Sequence, residues 1–141
     1  MHLYITIGTN NMIRAMKFYN AVLPIFELKG RATNGEADWE DWAGYGKENH
    51  EGLFEELLWL CGKPFNGNPA THGNGSLVGF KVNSWNEVDR FYAVALANGG
   101  TCEGAPGLRL NVAPDFYAAY VRDPDGNKLA SVCEGFTESQ N

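Results

Sequence analysis

The side chains that commonly do chemistry are few in this chain and lie far apart. His2 falls at a chain end, His50 in a polar loop and His72 in a glycine-rich stretch, where an imidazole is ordinarily solvated. Cys61, Cys102 and Cys133 are an odd number, widely separated and without a Cys-x-x-Cys pair. They read as reduced, mostly buried thiols of a cytoplasmic protein. The run from Asn66-Gly67-Asn68 to His72-Gly73-Asn74-Gly75 lacks the Gly-Lys-Ser/Thr that a phosphate-binding loop requires. No Ser/His/Asp or Cys/His set assembles, so nucleophilic catalysis has no visible machinery. Lys81 and Tyr120 are the available general acids or bases, and neither has a partner in the sequence to tune it.

The elements that must position any site are clearer, because the chain carries one pattern twice. Tyr4-Ile5-Thr6-Ile7 matches Leu77-Val78-Gly79-Phe80, Phe18-Tyr19 matches Phe91-Tyr92, and Leu23 matches Leu96. In the first copy Ile5 and Ile7 alternate as in a half-buried strand. Asn10 or Asn11 then caps a helix with the stripe Met12, Ala15, Met16, Tyr19 and Leu23, which Pro24 stops. In the second copy Val78, Phe80 and Val82 form a packed strand face, and Asn83 or Ser84 caps a helix striped with Val88, Phe91, Tyr92 and Leu96. Asn98-Gly99-Gly100 ends that helix through the left-handed conformation glycine allows.

Shorter strands follow each helix. In the second copy they are Thr101-Cys102-Glu103, Tyr117 to Arg122 and Lys128 to Glu134, the last two joined by Asp123-Pro124-Asp125-Gly126-Asn127 as a turn. In the first copy Phe26-Glu27-Leu28-Lys29 and Glu55 to Cys61 are the clearest, and the pattern across residues 31–52 is read by analogy with the second. Each half is therefore strand–helix–strand–strand–strand. The expected organisation is a single domain over residues 1–141, with module one at about 1–62, a linker at about 63–75, module two at about 76–135 and a short C-terminal tail. Neither module has anything of its own to cover one face of its sheet.

Bulk properties narrow the partners. The apolar fraction of 44% and the aromatic fraction of 13% are those of a packed globular chain. The net charge of −6, with no run of Lys or Arg, disfavours nucleic acid and anionic membrane surfaces. No apolar run reaches the ~20 residues of a bilayer span, and the opening residues lack a signal-peptide pattern, which again points to the cytoplasm.

A doubled βαβββ unit resembles the vicinal oxygen chelate superfamily, which includes glyoxalase I, the extradiol dioxygenases and the bleomycin-resistance proteins. The residues that carry the resemblance are Phe18-Tyr19-x-x-x-Leu23 and the run from Tyr117 through Asp123-Pro124-Asp125-Gly126-Asn127 to Lys128. It covers nearly the whole chain, from Tyr4 to about Glu134. The implied fold is α+β, with the two tandem modules forming one pseudo-symmetric open barrel around a cleft. A homodimer and a divalent metal in the cleft are further implications.

In metal-using relatives the ligands are His or Glu on the first and last strand of each module. Carried over, those positions are Tyr4 and Leu77, and then Leu58 and Ala130, because Leu57-Leu58-Trp59-Leu60-Cys61 is overlaid on Leu129-Ala130-Ser131-Val132-Cys133. None offers an imidazole or carboxylate, which a divalent ion needs. A two-residue slip recovers only His2 and Glu56. The expectation is no metal and no other cofactor.

If those four positions face the cleft, alternation brings Thr6, Leu60, Lys81 and Val132 with them, and hairpin closure adds Tyr120 opposite Ala130. Ile5, Ile7, Val78, Phe80, Val82, Trp59, Ala119 and Val121 turn outward, under the helices. Arg109 and Tyr117 are candidates to join from the loop at 104–114. Such a lining suits an organic molecule bearing an oxyanion or an aromatic ring. The reading that follows is a metal-free small-molecule binder. Its rivals are a metal-dependent lyase, isomerase or dioxygenase, and a dimeric protein with a vestigial cleft.

Overall fold

Two side chains begin the two helices in the same way. The Asn11 side chain accepts from the Arg14 N–H, and the Ser84 side chain accepts from the Glu87 N–H, each meeting a donor that the first helical turn leaves unpaired. In the computed structural model, which describes residues 1, 3–31 and 41–138, these caps open α1 (Met12–Val22) and α2 (Trp85–Ala97). His2 and residues 32–40, part of the stretch read by analogy, lie outside the described residues.

Module one is β1 (Ile5–Gly8), α1, a 3-10 turn (Leu23–Phe26), β2 (Lys29–Gly30), β3 (Trp42–Glu48) and β4 (Phe54–Cys61). Module two is β5 (Val78–Lys81), α2, β6 (Thr101–Leu108), β7 (Phe116–Arg122) and β8 (Lys128–Glu134). Each forms a four-stranded mixed sheet with the same order, β1-β4-β3-β2 and β5-β8-β7-β6, so the pseudo-symmetry extends to topology. The two sheets do not close into a barrel. No described helix is long and apolar enough to cross a membrane.

Two elements differ from expectation. Phe26 to Lys29 is not a strand: Pro24 fits the first turn of the 3-10 segment and Glu27 closes it at a φ of 61°, leaving only Lys29–Gly30 to pair. Strand β6 is longer than three residues, because bulges at Cys102–Gly104 and Gly104–Gly107 let it follow β7 as far as Leu108.

One core serves both modules. Phe18, Val22 and Leu23 from the first half and Val88, Phe91 and Leu129 from the second are fully buried in one cluster. Phe26 stacks on Phe80 across the boundary, with centroids 4.2 Å apart. The polar join is made by the turn between β7 and β8. Asp123 accepts from the Tyr19 hydroxyl at 2.5 Å, while Asp125 accepts from the Thr9 hydroxyl, the Asn10 N–H and the Arg14 guanidinium. The Asn127 amide donates to the Gly8 carbonyl at 2.9 Å. Burial, and then the Asp123 carboxylate, push the Tyr19 phenol well above its usual range, so it stays a donor.

Cys61 and Cys133 are buried, and burial raises both thiols, whereas Cys102 is exposed on β6. Two outcomes follow. Under native conditions a thiol reagent labels Cys102 at a rate at least tenfold above the other two, and denaturant equalises all three. Tyr19→Phe lowers stability by roughly 1.5–3 kcal/mol in chemical denaturation, because a buried carboxylate loses a donor that no water replaces. A Tyr19→Phe protein as stable as the parent would remove the turn from its structural role.

Candidate ligand-binding cleft

The sheet faces turned away from the helices are where a ligand has room. In module two, Ala119, Val121, Leu129 and Cys133 enter the core, so the alternate residues face out. Tyr120 lies opposite Ala130, and Ala118 opposite Val132. Gly79 and Lys81 pair beside Ala130 and Val132 from β5. Lys81 is exposed and meets Glu134 at 3.4 Å.

In module one the facing of β4 is opposite to the sequence expectation. Leu58 and Leu60 are 1% and 0% exposed, inside the core, and do not line the cleft. Parallel pairing explains why. Ile5 sits beside Leu58 and Ile7 beside Leu60, just as Val78 sits beside Leu129 and Phe80 beside Ser131. Leu58 is thus the counterpart of Leu129 and Trp59 that of Ala130, so the overlay was one residue out, and a one-residue slip turns every side chain over. The run Leu57-Leu58-Trp59-Leu60-Cys61 is apolar throughout, so alternation within it carried no signal.

Trp59 therefore joins Thr6 on the open face. Ala43 and Tyr45 of β3 are core residues, which leaves Trp42 and Gly44 on the same face as Trp59. Trp42 and Trp59 pack edge to face at 6.4 Å. A bulge between Tyr45 and Gly46 leaves Leu57 without a partner and returns Glu56 to this face: a Cβ on Gly44 would meet both the Trp59 ring and the Glu56 Cγ. Glu56 is ion-paired with Arg31 at 3.1 Å. Tyr4 precedes β1 and is 66% exposed.

The two faces meet at β1 and β5. Thr6, Leu77, His72, Asn127 and Lys128 line a cavity of about 180 Å³ between the modules. The linker crosses beside it, held by a reciprocal pair of bonds between the Asn10 side chain and the Ala70 backbone, both 2.9 Å.

The open face of module two is dense in cations. Arg109 lies over the Tyr120 ring at 5.5 Å from the centroid, and the Lys128 ammonium lies 5.4 Å from the same centroid. Arg122 is neutralised by Glu103 at 2.8 Å, and that hydrogen bond holds the Glu103 carboxyl below its usual range. Tyr117 does not join this face. It stacks on Trp85 at 4.3 Å, and its hydroxyl donates to Asp89, with burial first and Asp89 second raising its pKa.

Among the described residues, no three His, Cys, Asp or Glu side chains come together as a metal ion would need. At the open-face positions of the four first and last strands, the carboxylates among the described residues are Glu56, which Arg31 engages, and Glu134, which Lys81 engages. These donors do not fit the divalent ion that the fold holds in metal-using relatives.

The model of the Glyoxalase/Bleomycin resistance protein/Dioxygenase superfamily matches residues 3–130. The chain belongs to this superfamily. Among solved structures it is similar to a glyoxalase/bleomycin resistance protein from Albidiferax ferrireducens T118, with 35% identity, a TM-score of 0.74, and 96% of this chain and 99% of that one covered. A glyoxalase-related enzyme from Fulvimarina pelagi shares the fold at 19% identity and a TM-score of 0.67, over 95% of this chain and 88% of the other. A glyoxalase/bleomycin resistance protein/dioxygenase family enzyme from Burkholderia phytofirmans PsJN does so at 18% identity and 0.64, over 94% and 97%. No curated protein matches the chain.

The corrected register makes a direct prediction. Leu60→Ala costs about 2–5 kcal/mol of unfolding free energy, the range for emptying a core leucine site. Thr6→Ala, its neighbour on the exposed face, stays within about 0.5 kcal/mol. Urea denaturation of the two variants settles the facing, since equal costs would contradict it.

Proposed function

We propose that this superfamily member binds a small organic molecule between its modules, without the divalent metal that many relatives use. One observation carries the reading: the four central positions of the open face offer a ring, methyls and a hydroxyl where a metal site needs imidazoles and carboxylates. Thr6, Trp59, Leu77 and Ala130 occupy the central positions. Two tryptophans and a tyrosine suit an apolar or aromatic body, and polar groups at Thr6, His72 and Asn127 suit its orientation. A passive binder needs no catalytic group, which agrees with the absence of a nucleophile–base pair from the sequence.

The rival is metal-dependent chemistry, in which the ion stabilises developing negative charge as a Lewis acid. The bulge that returns Glu56 to the open face is the observation in its favour. Glu56 is already held by Arg31, and Glu134, the other open-face carboxylate of these strands, by Lys81, so both are weak ligands and the metal-free reading is preferred. A cytoplasmic homodimer belongs to the same proposal, with exposed Leu3, Tyr4 and Leu77 as apolar surface beside the modules' meeting line.

The test has two parts. After incubation with Zn²⁺, Ni²⁺, Mn²⁺ or Fe²⁺ and desalting, elemental analysis finds well under one ion per chain, and none of the four raises Tm appreciably. A panel of small metabolites and antibiotics contains compounds that do raise Tm, as folded-state ligands must. One tightly held ion per chain would falsify the metal-free reading.

A further inference from the structure

The chain carries a net charge of −6, yet one part of the open face holds two cations that form no ion pair among the described residues, the carboxylate that acts on Lys128, Glu103, being bonded to Arg122. Lys81 and Arg122 are spoken for by Glu134 and Glu103. Among the described residues, Arg109 and Lys128 form no ion pair, although both are half-buried. Their positive charges sit within 5.5 Å of one ring centroid, that of Tyr120. Two cations beside one ring in a partly desolvated place make that patch attractive to an anion.

The fold goes to some length to hold Arg109 there. The two bulges of β6 put Gly104 and Gly107 under its guanidinium: a Cβ on either would come within 3.2 Å of an Arg109 nitrogen. One N–H donates to the Ala105 carbonyl at 2.6 Å, which fixes the plane. A guanidinium has five N–H donors, so the others are left for a ligand. The Tyr120 hydroxyl has no hydrogen-bond partner among the described residues and adds a further donor.

From Lys128 the surface runs into the cavity of about 180 Å³ that it shares with Thr6, Leu77, His72 and Asn127. That volume is below the ~300–1,000 Å³ typical of sites for drug-sized ligands, so the body of the ligand is small.

We propose that Arg109, Lys128 and Tyr120 form an oxyanion seat, and that the ligand of the cleft is a small organic acid, a carboxylate or a phosphate ester. The anion is held by these donors and its body lies in the inter-module cavity. This rests on the small-molecule reading above but makes a narrower claim.

The experiment is a titration of the full ¹⁵N-labelled chain with benzoate, phenyl phosphate and benzyl alcohol, read by amide shifts and by calorimetry. At least one acid shifts the amides of Gly104, Gly107 and Lys128 and binds about tenfold or more tighter than the alcohol, a ratio consistent with hydrogen bonds to charged donors. The tighter acid assigns the head group as carboxylate or phosphate. Arg109→Gln and Lys128→Gln each weaken the acid by roughly tenfold while leaving the alcohol and Tm unchanged, and Arg109→Lys restores only part of the loss, lacking the planar fork. If the alcohol binds as well as the acids, or Arg109→Gln leaves acid binding intact, the seat is wrong and the cleft stands. If no probe perturbs any open-face amide, the seat and the small-molecule reading fail together.

Discussion

The arrangement of this molecule depends on the grip of one five-residue turn on the opposite module. Asp123 and Asp125 reach from the β7–β8 hairpin to Tyr19, Thr9, Asn10 and Arg14, and Asn127 reaches to the Gly8 carbonyl. The turn is itself rigid, since Asp123 accepts from the Asp125 and Asn127 N–H groups and from the Asn127 amide. A carboxylate that receives this many donors is held in one place. Asp125 also lies at the start of α1, where the helix dipole favours negative charge. The sheets share no ladder, so this polar clamp and the stack of Phe26 on Phe80 set how their open faces meet.

The clamp also explains why a pseudo-symmetric chain has an asymmetric cleft. The turn at Asp123 has no counterpart of the same kind in module one, where Asn49 shapes a different turn between β3 and β4 by accepting from the Glu51 and Leu53 N–H groups. Module one then contributes Trp42 and Trp59, with Glu56 bound to Arg31, while module two contributes small residues, Tyr120 and cations. The same βαβββ frame has specialised its halves, one apolar and aromatic, the other basic. Such a division suits a ligand with two chemically different ends more than it suits a centred ion.

The bulges are the local device behind both halves. At Tyr45–Gly46 the extra residue returns Glu56 to the open face; in β6 two irregularities clear the ground beneath Arg109. Each is a departure of one residue from strict alternation, and each places a charged group where regular pairing would not.

Much of this was legible in the chain itself. The doubled pattern, a cap at one of two adjacent residues before each helix, the stop at Pro24, strand β8 and the facing of Tyr120 against Ala130 all follow from local periodicity and turn chemistry, which neighbouring residues determine. Other features were decided only by tertiary contacts. Leu58 and Leu60 went to the core because β4 pairs in parallel with β1, a partnership between residues some fifty positions apart that a wholly apolar run cannot announce. The exposure of Cys102 and the approach of both Arg109 and Lys128 to one ring have the same cause, whereas Glu27 in place of a strand belongs to the local turn that Pro24 begins. Alternation fixes which side chains share a face within a strand, but only pairing and bulges decide which face that is.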